Sequence, residues 1–205
     1  MKCSYIDIHT HRDTTATTIS TIGLHPRFAT SGQLPRREEI EVVDAVGEIG
    51  LDYACNVDKQ QQLLIFEQQL DLAEEFNKPV VLHCVRAFEQ VMQCLRKRQL
   101  AAVIFHGFIG SQEQARQAIE KKYFLSFGDR TFKSAKTIRA LLITPPELLF
   151  IETDESTSSI ETIYTRIAAL RNTSIKELLQ TTNDNYCRIF SKKIEEQNRI
   201  SRTKS

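Results

Sequence analysis

The sequence has almost no net charge, no paired-cysteine motif and no long apolar run, and each absence excludes a class of protein. Its 27 Lys and Arg residues are balanced by 26 Asp and Glu, which gives a formal charge of +1. No field of one sign therefore draws the whole molecule onto nucleic acid or an anionic membrane. Any binding of a polyanion must be local.

The cysteines and apolar residues are typical of a protein of the reducing cytoplasm. The five cysteines are odd in number and form no CxxC pair, which argues against a disulfide framework or a zinc knuckle. The longest apolar run, Leu100 to Phe105, is far short of the ~18 residues that span a bilayer. Asp7 and His9 interrupt any signal-peptide core. We expect one cytoplasmic domain over residues 1–205, with a polar tail from about 196, no membrane association and no obligate protein partner.

Ligand-type side chains alternate with apolar or β-branched ones in Tyr5-Ile6-Asp7-Ile8-His9-Thr10-His11. Successive side chains of a strand point to opposite faces, so Asp7, His9 and His11 share one face. Two imidazoles at this spacing can reach one cation. An isolated pair is more often two surface histidines, so the interpretation depends on the rest of the chain.

Apolar strand patterns alternate with amphipathic helical patterns after this stretch. Strands are predicted to end near residues 22, 52, 84, 107, 127 and 154, and helices to cover 58–76, 87–98, 111–122, 134–142, 158–171, 174–181 and 183–195. Residues 28–37 are loop-like, and the threonine-rich residues 12–22 are extended. This order predicts an α/β fold with a parallel sheet, whose closed form is the TIM-like (β/α) barrel with its active site at the carboxyl ends of the strands.

Chemistry-bearing side chains lie at these strand ends, and only a barrel would bring the first and last of them together. They are His9, His11, His25, Glu48, His83, His106 and Asp154, and they include every histidine of the chain. A lone strand-end histidine is usually structural. So many nitrogen and hard oxygen donors predict instead a site for two divalent ions, for which Mg²⁺, Mn²⁺ and Zn²⁺ all remain open. Paired ions of this kind serve hydrolysis by a metal-activated water.

Six motifs in order resemble the signatures of the TatD family of metal-dependent hydrolases, within the amidohydrolase superfamily. They are Asp7-x-His9-x-His11, Gly23-Leu24-His25-Pro26, Gly47-Glu48-Ile49-Gly50-Leu51-Asp52, Pro79-Val80-Val81-Leu82-His83, His106-Gly107-Phe108-Ile109-Gly110-Ser111 and Glu152-Thr153-Asp154. The resemblance covers about residues 5–190. It implies a (β/α) barrel with divalent ions and a cytoplasmic deoxyribonuclease activity, often a 3′–5′ exonuclease, so that single-stranded DNA or DNA 3′ ends are the expected partner.

The resemblance also implies residue roles. Asp154 would orient or deprotonate the attacking water, and Glu48 would bridge the two ions. His25 matches a histidine that binds substrate phosphate or supports the metal ligands, and a purely structural role stays open for it. The implied ligands are His9, His11, Glu48 and Asp154 for the first ion, and Glu48, His83 and His106 for the second.

The chain departs from the family pattern in three places. Only eleven residues separate His11 from Gly23, where the family carries a helix, a strand and another helix. We therefore predict a shortened barrel of about seven parallel strands, with one βα unit missing after the first strand and the threonine-rich segment covering the gap or leaving it open. Arg86 stands one place beyond the family's usual arginine; it either faces substrate phosphate or begins a helix. Glu155 adds an acid beside the site.

Three functional hypotheses follow. The main one is an enzyme that cleaves phosphodiester bonds, most simply a TatD-like deoxyribonuclease. The second keeps the metal ions but makes the substrate a small ester or amide, or an aminoacyl-tRNA ester. The third is a catalytically silent barrel that serves as an interaction module, against which the retention of every ligand-type residue argues. Near the predicted mouth, Arg12, Arg130 and Lys133 either contact phosphates or form a solvated rim.

Overall fold

The computed structural model describes residues 4–190, in which six parallel strands form one sheet. Each strand pairs in parallel with the next one along the chain. The predicted parallel α/β architecture is therefore confirmed. The strands are β1 (Thr21–Ile22), β2 (Ala45–Asp52), β3 (Val80–Val85), β4 (Val103–Phe105), β5 (Phe124–Phe127) and β6 (Leu149–Ile151).

Helices follow the strands as the periodicity predicts, with two corrections. A short helix begins at Arg37, next to the region predicted as loop. The C-terminal region forms one continuous helix where the pattern predicted two, and the predicted end of the second one and the polar tail lie outside the described residues. The helices are α1 (Arg37–Val42), α2 (Lys59–Glu75), α3 (Phe88–Leu95), α4 (Gln112–Glu120), α5 (Ala135–Ile143), α6 (Ile160–Arg171) and α7 (Ile175–Phe190). Within this part of the chain, no helix has the length and apolar content needed to cross a membrane.

The first segment of the chain closes the sheet against its last strand. The backbone N–H of Ile8 donates to the carbonyl of Ile151 at 3.1 Å, and a parallel bridge joins Thr10 to Asp154. On the other side, Ile6 forms a parallel bridge with Thr17, and the chain then runs into β1. The threonine-rich segment thus covers the gap, and the seventh predicted strand is present as an extended segment held by isolated bridges. The shortened barrel is confirmed.

Inward-pointing side chains of the strands divide the barrel interior into an apolar and a polar part. Val81 and Ile104 lie on the inner face of the sheet, so His83 and His106, two residues further on, share that face. The barrel is therefore apolar at its amino end and polar at its carboxyl end. The inner cluster contains Ile6, Ile8, Ile19, Ala45, Val81, Ile104, Phe124, Leu148, Phe150 and Phe190.

An extra residue in β2 turns Glu48 into the interior. Val46 pairs with Val80 and Ile49 pairs with Leu82, so three steps along β2 match two along β3. Such a β-bulge re-aims the side chains within it. Val46 and Ile49 both pack in the outer core against the helices. In a strand without the bulge, Glu48 would lie on the same face as Val46, so its carboxylate would point away from the inner histidines that it contacts.

Candidate metal centre

The two carboxylate oxygens of Glu48 face different groups of histidines. Oε1 lies 2.5 Å from Nδ1 of His83 and 2.5 Å from Nε2 of His106. Oε2 lies 3.5 Å from Nε2 of His9 and 3.8 Å from Nε2 of His11. One carboxylate therefore stands between two pairs of imidazoles, which is the position of a bridging ligand.

Asp154 completes the side of the cluster formed by His9 and His11. Its Oδ1 atom lies 4.0 Å from Nε2 of His9 and 3.7 Å from Nε2 of His11. The backbone places it there, since the N–H of Asp154 donates to the carbonyl of His9 at 3.0 Å. All the residues predicted as metal ligands, from His9 to Asp154, thus meet at the carboxyl end of the barrel.

The outer nitrogens of His83 and His106 each face a buried carboxylate. Nε2 of His83 lies 3.3 Å from Oδ2 of Asp52, and Nδ1 of His106 lies 3.5 Å from Oε1 of Glu152. An acid behind a histidine fixes the ring and keeps the other nitrogen free for a metal ion. Sequence reasoning assigned neither acid. The available signal was their place in the motifs, immediately next to the predicted ligands.

Asp7 has a structural role, although it shares a strand face with His9. It is fully buried, and its carboxylate accepts hydrogen bonds from the backbone N–H of Thr153 at 2.9 Å and from the Thr153 hydroxyl at 2.7 Å. Burial raises the pKa of Asp7 to about 6, against the opposing effect of these hydrogen bonds. Asp7 therefore joins the first segment to the end of β6 and so aligns His9 with Asp154.

His25 is oriented as a donor. Its Nδ1 atom accepts a hydrogen bond from the backbone N–H of Arg27 at 3.1 Å, so in the neutral ring Nε2 carries the proton. That Nε2 atom lies 3.5 Å from Oε1 of Glu48. Although its nitrogen is close enough to Glu48 and His83 to be grouped with them, this tautomer favours donation to a carboxylate or an anionic substrate.

The histidines keep Glu48 ionised. Burial alone would raise the pKa of Glu48, but hydrogen bonds from His106, His25 and His83 outweigh it and hold that pKa well below its usual range. The pKa of His106 is raised to about 10: burial lowers it, and the carboxylates of Glu152 and Glu48 more than offset this. Burial and the charge of Glu152 raise the pKa of Asp154. The central carboxylate is thus held in the charged form that a metal ligand requires.

The donor set fits divalent cations. Nε2 of His9 is buried without a hydrogen-bond partner, although it points towards Glu48 and Asp154. A buried polar atom in this condition is costly unless a ligand satisfies it. Imidazole nitrogens combined with carboxylate oxygens suit Zn²⁺ or Mn²⁺, and the carboxylates also suit Mg²⁺.

Three cavities open around this cluster. One of about 490 Å³ is lined by His9, His11 and His25, and another of about 500 Å³ is lined by Asp154 and Glu152. A third, of about 780 Å³, borders His106. The cluster is therefore accessible from solvent, most of all at His11, whose side chain is 51% exposed.

The predicted phosphate-contacting cations have different positions. Arg86 is exposed beyond β3 and lines the cavity of about 780 Å³ that borders His106. Arg130 lines both this cavity and the one at Asp154. Arg12 donates to the carbonyl of Ser156 at 2.9 Å. Nζ of Lys133 lies 3.8 Å from Oδ2 of Asp129, so this cation is paired within its own turn.

Comparisons with known proteins all identify the same family. Residues 6–191 match the family model described as TatD related DNase. The chain is 34% identical to YabD of Bacillus subtilis, named an uncharacterized metal-dependent hydrolase, over 82% of this chain and 76% of the relative. It is 35% identical to a protein of Pantoea ananatis named 3′-5′ ssDNA/RNA exonuclease TatD, over 66% of this chain and 56% of the relative. The chain thus spans only part of the length of these relatives.

Solved structures share the fold. The crystal structure of YjjV, a TatD homolog from Escherichia coli K12, superimposes with a TM-score of 0.81 at 22% identity, over 93% of this chain and 99% of that one. A TatD family hydrolase from Entamoeba histolytica gives a TM-score of 0.74 at 20% identity, over 86% of this chain and 76% of that one. These superpositions show a shared fold, and the match of residues 6–191 to the family model shows the family: the chain belongs to the TatD family of metal-dependent hydrolases.

Proposed function

We propose that the protein hydrolyses phosphodiester bonds in DNA, releasing nucleotides from the 3′ ends of single strands with two divalent cations bound. The observation that carries this proposal is the position of Glu48, whose two oxygens face two different pairs of histidines at 2.5 to 3.8 Å. A carboxylate between two cation positions is the arrangement expected for in-line displacement at phosphorus.

Each ligand residue then has a role. Glu48 would hold both cations, while Asp52 and Glu152 hold the rings of His83 and His106 in the orientation that leaves one nitrogen free. When bound, the cations supply Lewis acidity, which polarises the phosphoryl group and lowers the pKa of water. The proposed first set is His9, His11, Glu48 and Asp154, and the proposed second set is Glu48, His83 and His106.

In the proposed reaction, Asp154 takes a proton from the attacking water. Its carboxylate borders the cavity of about 500 Å³ and remains 20% exposed, so substrate and water both reach it. Its Oδ1 atom is directed at the nitrogens of His9 and His11. The Nε2–H of His25 supplies a donor to a non-bridging phosphoryl oxygen, and Arg86 supplies a positive charge further along the substrate.

Two further observations support the substrate and the location. Relatives in Pantoea ananatis and Erwinia tasmaniensis are named 3′-5′ ssDNA/RNA exonucleases. The four cysteines of the described residues are unpaired, which supports the cytoplasmic location that we propose.

The test is nucleotide release from end-labelled single-stranded DNA, with chelator-stripped protein reloaded separately with Mg²⁺, Mn²⁺ and Zn²⁺. We expect metal-dependent, stepwise loss from the 3′ end. The Asp154→Asn variant keeps the shape of the side chain and removes its basicity, so we expect turnover to fall at least a hundredfold, since positioned acid–base groups typically contribute about 10²–10⁴-fold. Circular dichroism of this variant should be unchanged.

Three results would contradict the proposal. Near-normal cleavage by Asp154→Asn would remove its assigned role. Hydrolysis of a small ester or an aminoacyl-tRNA far above that of oligonucleotides would favour the second hypothesis. Bound metal without any hydrolysis of these substrates would favour an interaction module.

A further inference from the structure

Two glutamines of α2 lie on the face of that helix that packs against the sheet. Gln62 and Gln69 are both buried, and the apolar Phe66 and Leu70 share this face with them. Residues seven positions apart on a helix point in nearly the same direction. A buried amide is costly unless hydrogen bonds satisfy it, and an apolar side chain would fill the same space without that cost. Packing alone therefore does not explain the two amides.

Gln62 binds both backbone groups of Asp52, the last residue of β2. Its Oε1 atom accepts a hydrogen bond from the N–H of Asp52 at 2.8 Å, and its Nε2 atom donates to the Asp52 carbonyl at 3.0 Å. Nε2 also donates to the carbonyl of Val57 at 3.1 Å. The amide of Gln62 thus pairs with Asp52 through the same two groups that a neighbouring strand would use.

The short β1 explains why β2 has this support. β1 pairs with the first two residues of β2, at its amino end. At the carboxyl end, the N–H of Tyr53 donates to the carbonyl of Val85 in β3. Because backbone groups of successive strand residues point to opposite sides, those of Asp52 face away from β3, beyond the end of β1. Gln62 supplies the donor and the acceptor at this position.

Gln69 holds Leu24 in the same two-point manner. Its Oε1 atom accepts from the N–H of Leu24 at 2.5 Å, and its Nε2 atom donates to the Leu24 carbonyl at 3.0 Å. Leu24 directly precedes His25, whose Nε2 atom lies 3.5 Å from Oε1 of Glu48. One helix face therefore holds the backbone at two places next to the candidate metal centre.

We propose that Gln62 and Gln69 are positioning residues of the metal centre, each acting through the backbone that it holds. Gln62 fixes Asp52, whose Oδ2 atom lies 3.3 Å from Nε2 of His83 and orients that ring. This part of the assignment depends only on the proposed metal ligands.

Gln69 acts on His25 through Leu24, and so determines where the Nε2–H of His25 points. This part rests on the proposed function, because there His25 donates to a phosphoryl oxygen. The two glutamines therefore have separate expected effects: loss of Gln62 weakens metal binding, and loss of Gln69 weakens the binding of phosphate to the metal-loaded protein.

Metal titration of Gln62→Met tests the first effect. Methionine keeps the length of the side chain but cannot bond both backbone groups of Asp52. We expect affinity for the Mn²⁺ ion of the proposed second set to fall about tenfold, the lower end of the loss that follows removal of a group supporting a metal ligand. Gln69→Met should keep the metal affinity of the wild type.

Asn185→Leu is the matched control for the loss of a buried amide. Nδ2 of Asn185 donates to the carbonyls of Pro146 and Leu149, both at 2.9 Å, at the amino end of β6 and so away from the metal ligands. We expect this variant to bind Mn²⁺ as the wild type does. Equal metal affinity in Gln62→Met and Asn185→Leu, whether reduced or not, would contradict the role of Gln62.

Gln62→Glu is a second variant for the case that Gln62→Met does not fold. Its carboxylate keeps an acceptor for the N–H of Asp52 and loses the donor to the Asp52 carbonyl. We expect metal affinity to fall in the same direction, and an affinity equal to that of Asn185→Leu would again contradict the assignment.

Inorganic phosphate, titrated into the Mn²⁺-loaded protein, tests the role of Gln69. We expect Gln69→Met to weaken phosphate binding at least about threefold, a part of the loss that a missing hydrogen bond to a charged group would cause. Its kcat for single-stranded DNA should also fall, at unchanged metal affinity. Phosphate affinity equal to that of Asn185→Leu would show that Gln69 does not position His25.

The outcomes separate this inference from the proposed function. If the wild type cleaves DNA while both glutamine variants behave as Asn185→Leu does, the positioning roles are wrong and the nuclease proposal stands. If the wild type cleaves no DNA, but Gln62→Met loses metal affinity and Gln69→Met loses phosphate affinity, the positioning roles stand and the nuclease proposal fails.

Discussion

The histidines that face Glu48 are oriented by contacts on their far sides. His83 has Asp52 behind it at 3.3 Å, and His106 has Glu152 behind it at 3.5 Å. Asp52 is itself fixed by the backbone N–H of Ala54 at 2.9 Å. These contacts determine which nitrogen of each ring is available, so the buried acids belong to the candidate metal centre together with the proposed ligands.

The Asp52→Asn variant tests this relationship. The amide keeps the shape of the side chain but holds the ring of His83 less strongly and does not increase its basicity. We expect affinity for the cation of the proposed second set, which includes His83, to fall roughly 10–100-fold, the usual effect of losing such a support. Metal titration followed by calorimetry measures it.

Asp71→Asn is the matched control, because Asp71 is 64% exposed and pairs with Arg98 on the outside of the barrel. Unchanged metal affinity in both variants would contradict the role of Asp52.

The sequence identified the ligand-type residues but not their supports. His9, His11 and Asp154 could be predicted because residue type and position at a strand end are both visible in the sequence. Whether Asp52 or Glu152 faces a metal ion or a histidine depends on distances between neighbouring strands. These distances depend on the bulge in β2 and on strand packing, which periodicity does not encode.

At the scale of elements, the contact between β2 and β3 positions both Glu48 and His83. Gly50 pairs with His83 and has φ +137°, and a Cβ atom added there would lie 2.0 Å from the carbonyl oxygen of His83. Only glycine adopts this conformation at such a close approach without strain. Gly50 therefore allows the two strands to bring their site residues together.

The Gly50→Ala variant should lower the free energy of unfolding by about 2 kcal/mol or more, because strained backbone alone costs about 1–3 kcal/mol and the clash adds to it. Urea denaturation measures this loss. Ala101→Ser, at an exposed position before β4, is the control and should change stability by less than about 0.5 kcal/mol. Equal stability of the two variants would show that β2 and β3 can separate freely at this point.

Most helices were predictable, and the exceptions have physical reasons. The predicted break between 181 and 183 reflects Thr181 and Thr182, whose β-branched side chains disfavour helix. Tertiary contacts outweigh this preference, since the Thr182 hydroxyl lies 2.9 Å from that of Tyr164 and Asn185 donates to the carbonyls of Pro146 and Leu149. The short helix α1 was missed because its sequence, REEIEV, has a single buried apolar residue.

The barrel as a whole is closed by the first segment of the chain, which pairs with its neighbours only through isolated bridges. The Tyr164 hydroxyl supports it by donating to the carbonyl of Ile6 at 2.9 Å and accepting from the N–H of Ile6 at 3.2 Å. One hydroxyl of α6 thus satisfies both backbone groups of a residue in the first segment. His9 lies three residues further along.

The Tyr164→Phe variant should therefore loosen this closure. Leaving buried backbone groups unsatisfied costs about 1–3 kcal/mol, so we expect lower stability and faster hydrogen exchange at the amide of Ile6. Tyr186→Phe is the control, since the Tyr186 hydroxyl makes no hydrogen bond with the described residues. Identical exchange in the two variants would mean that the bridges alone hold the segment.

The sequence predicts that the barrel closes, but not which segment closes it. The first and last ligand-type residues, His9 and Asp154, are 145 positions apart in the sequence, and only a closed sheet brings them together. The sequence left open whether the threonine-rich segment covers the gap. That outcome depends on a single bridge between Ile6 and Thr17 and on the short β1, for which no periodic pattern exists.

Whether Glu48 holds two cations is tested by the number of Mn²⁺ ions bound per chain after equilibrium dialysis of the wild type and of Glu48→Gln. We predict two ions in the wild type and at most one in the variant, because the amide cannot bridge two cations with negative oxygens. Glu147→Gln, outside the candidate metal groups, should retain two. A single ion in the wild type, or two ions bound with unchanged affinity by Glu48→Gln, would show that Glu48 does not join two cation sites.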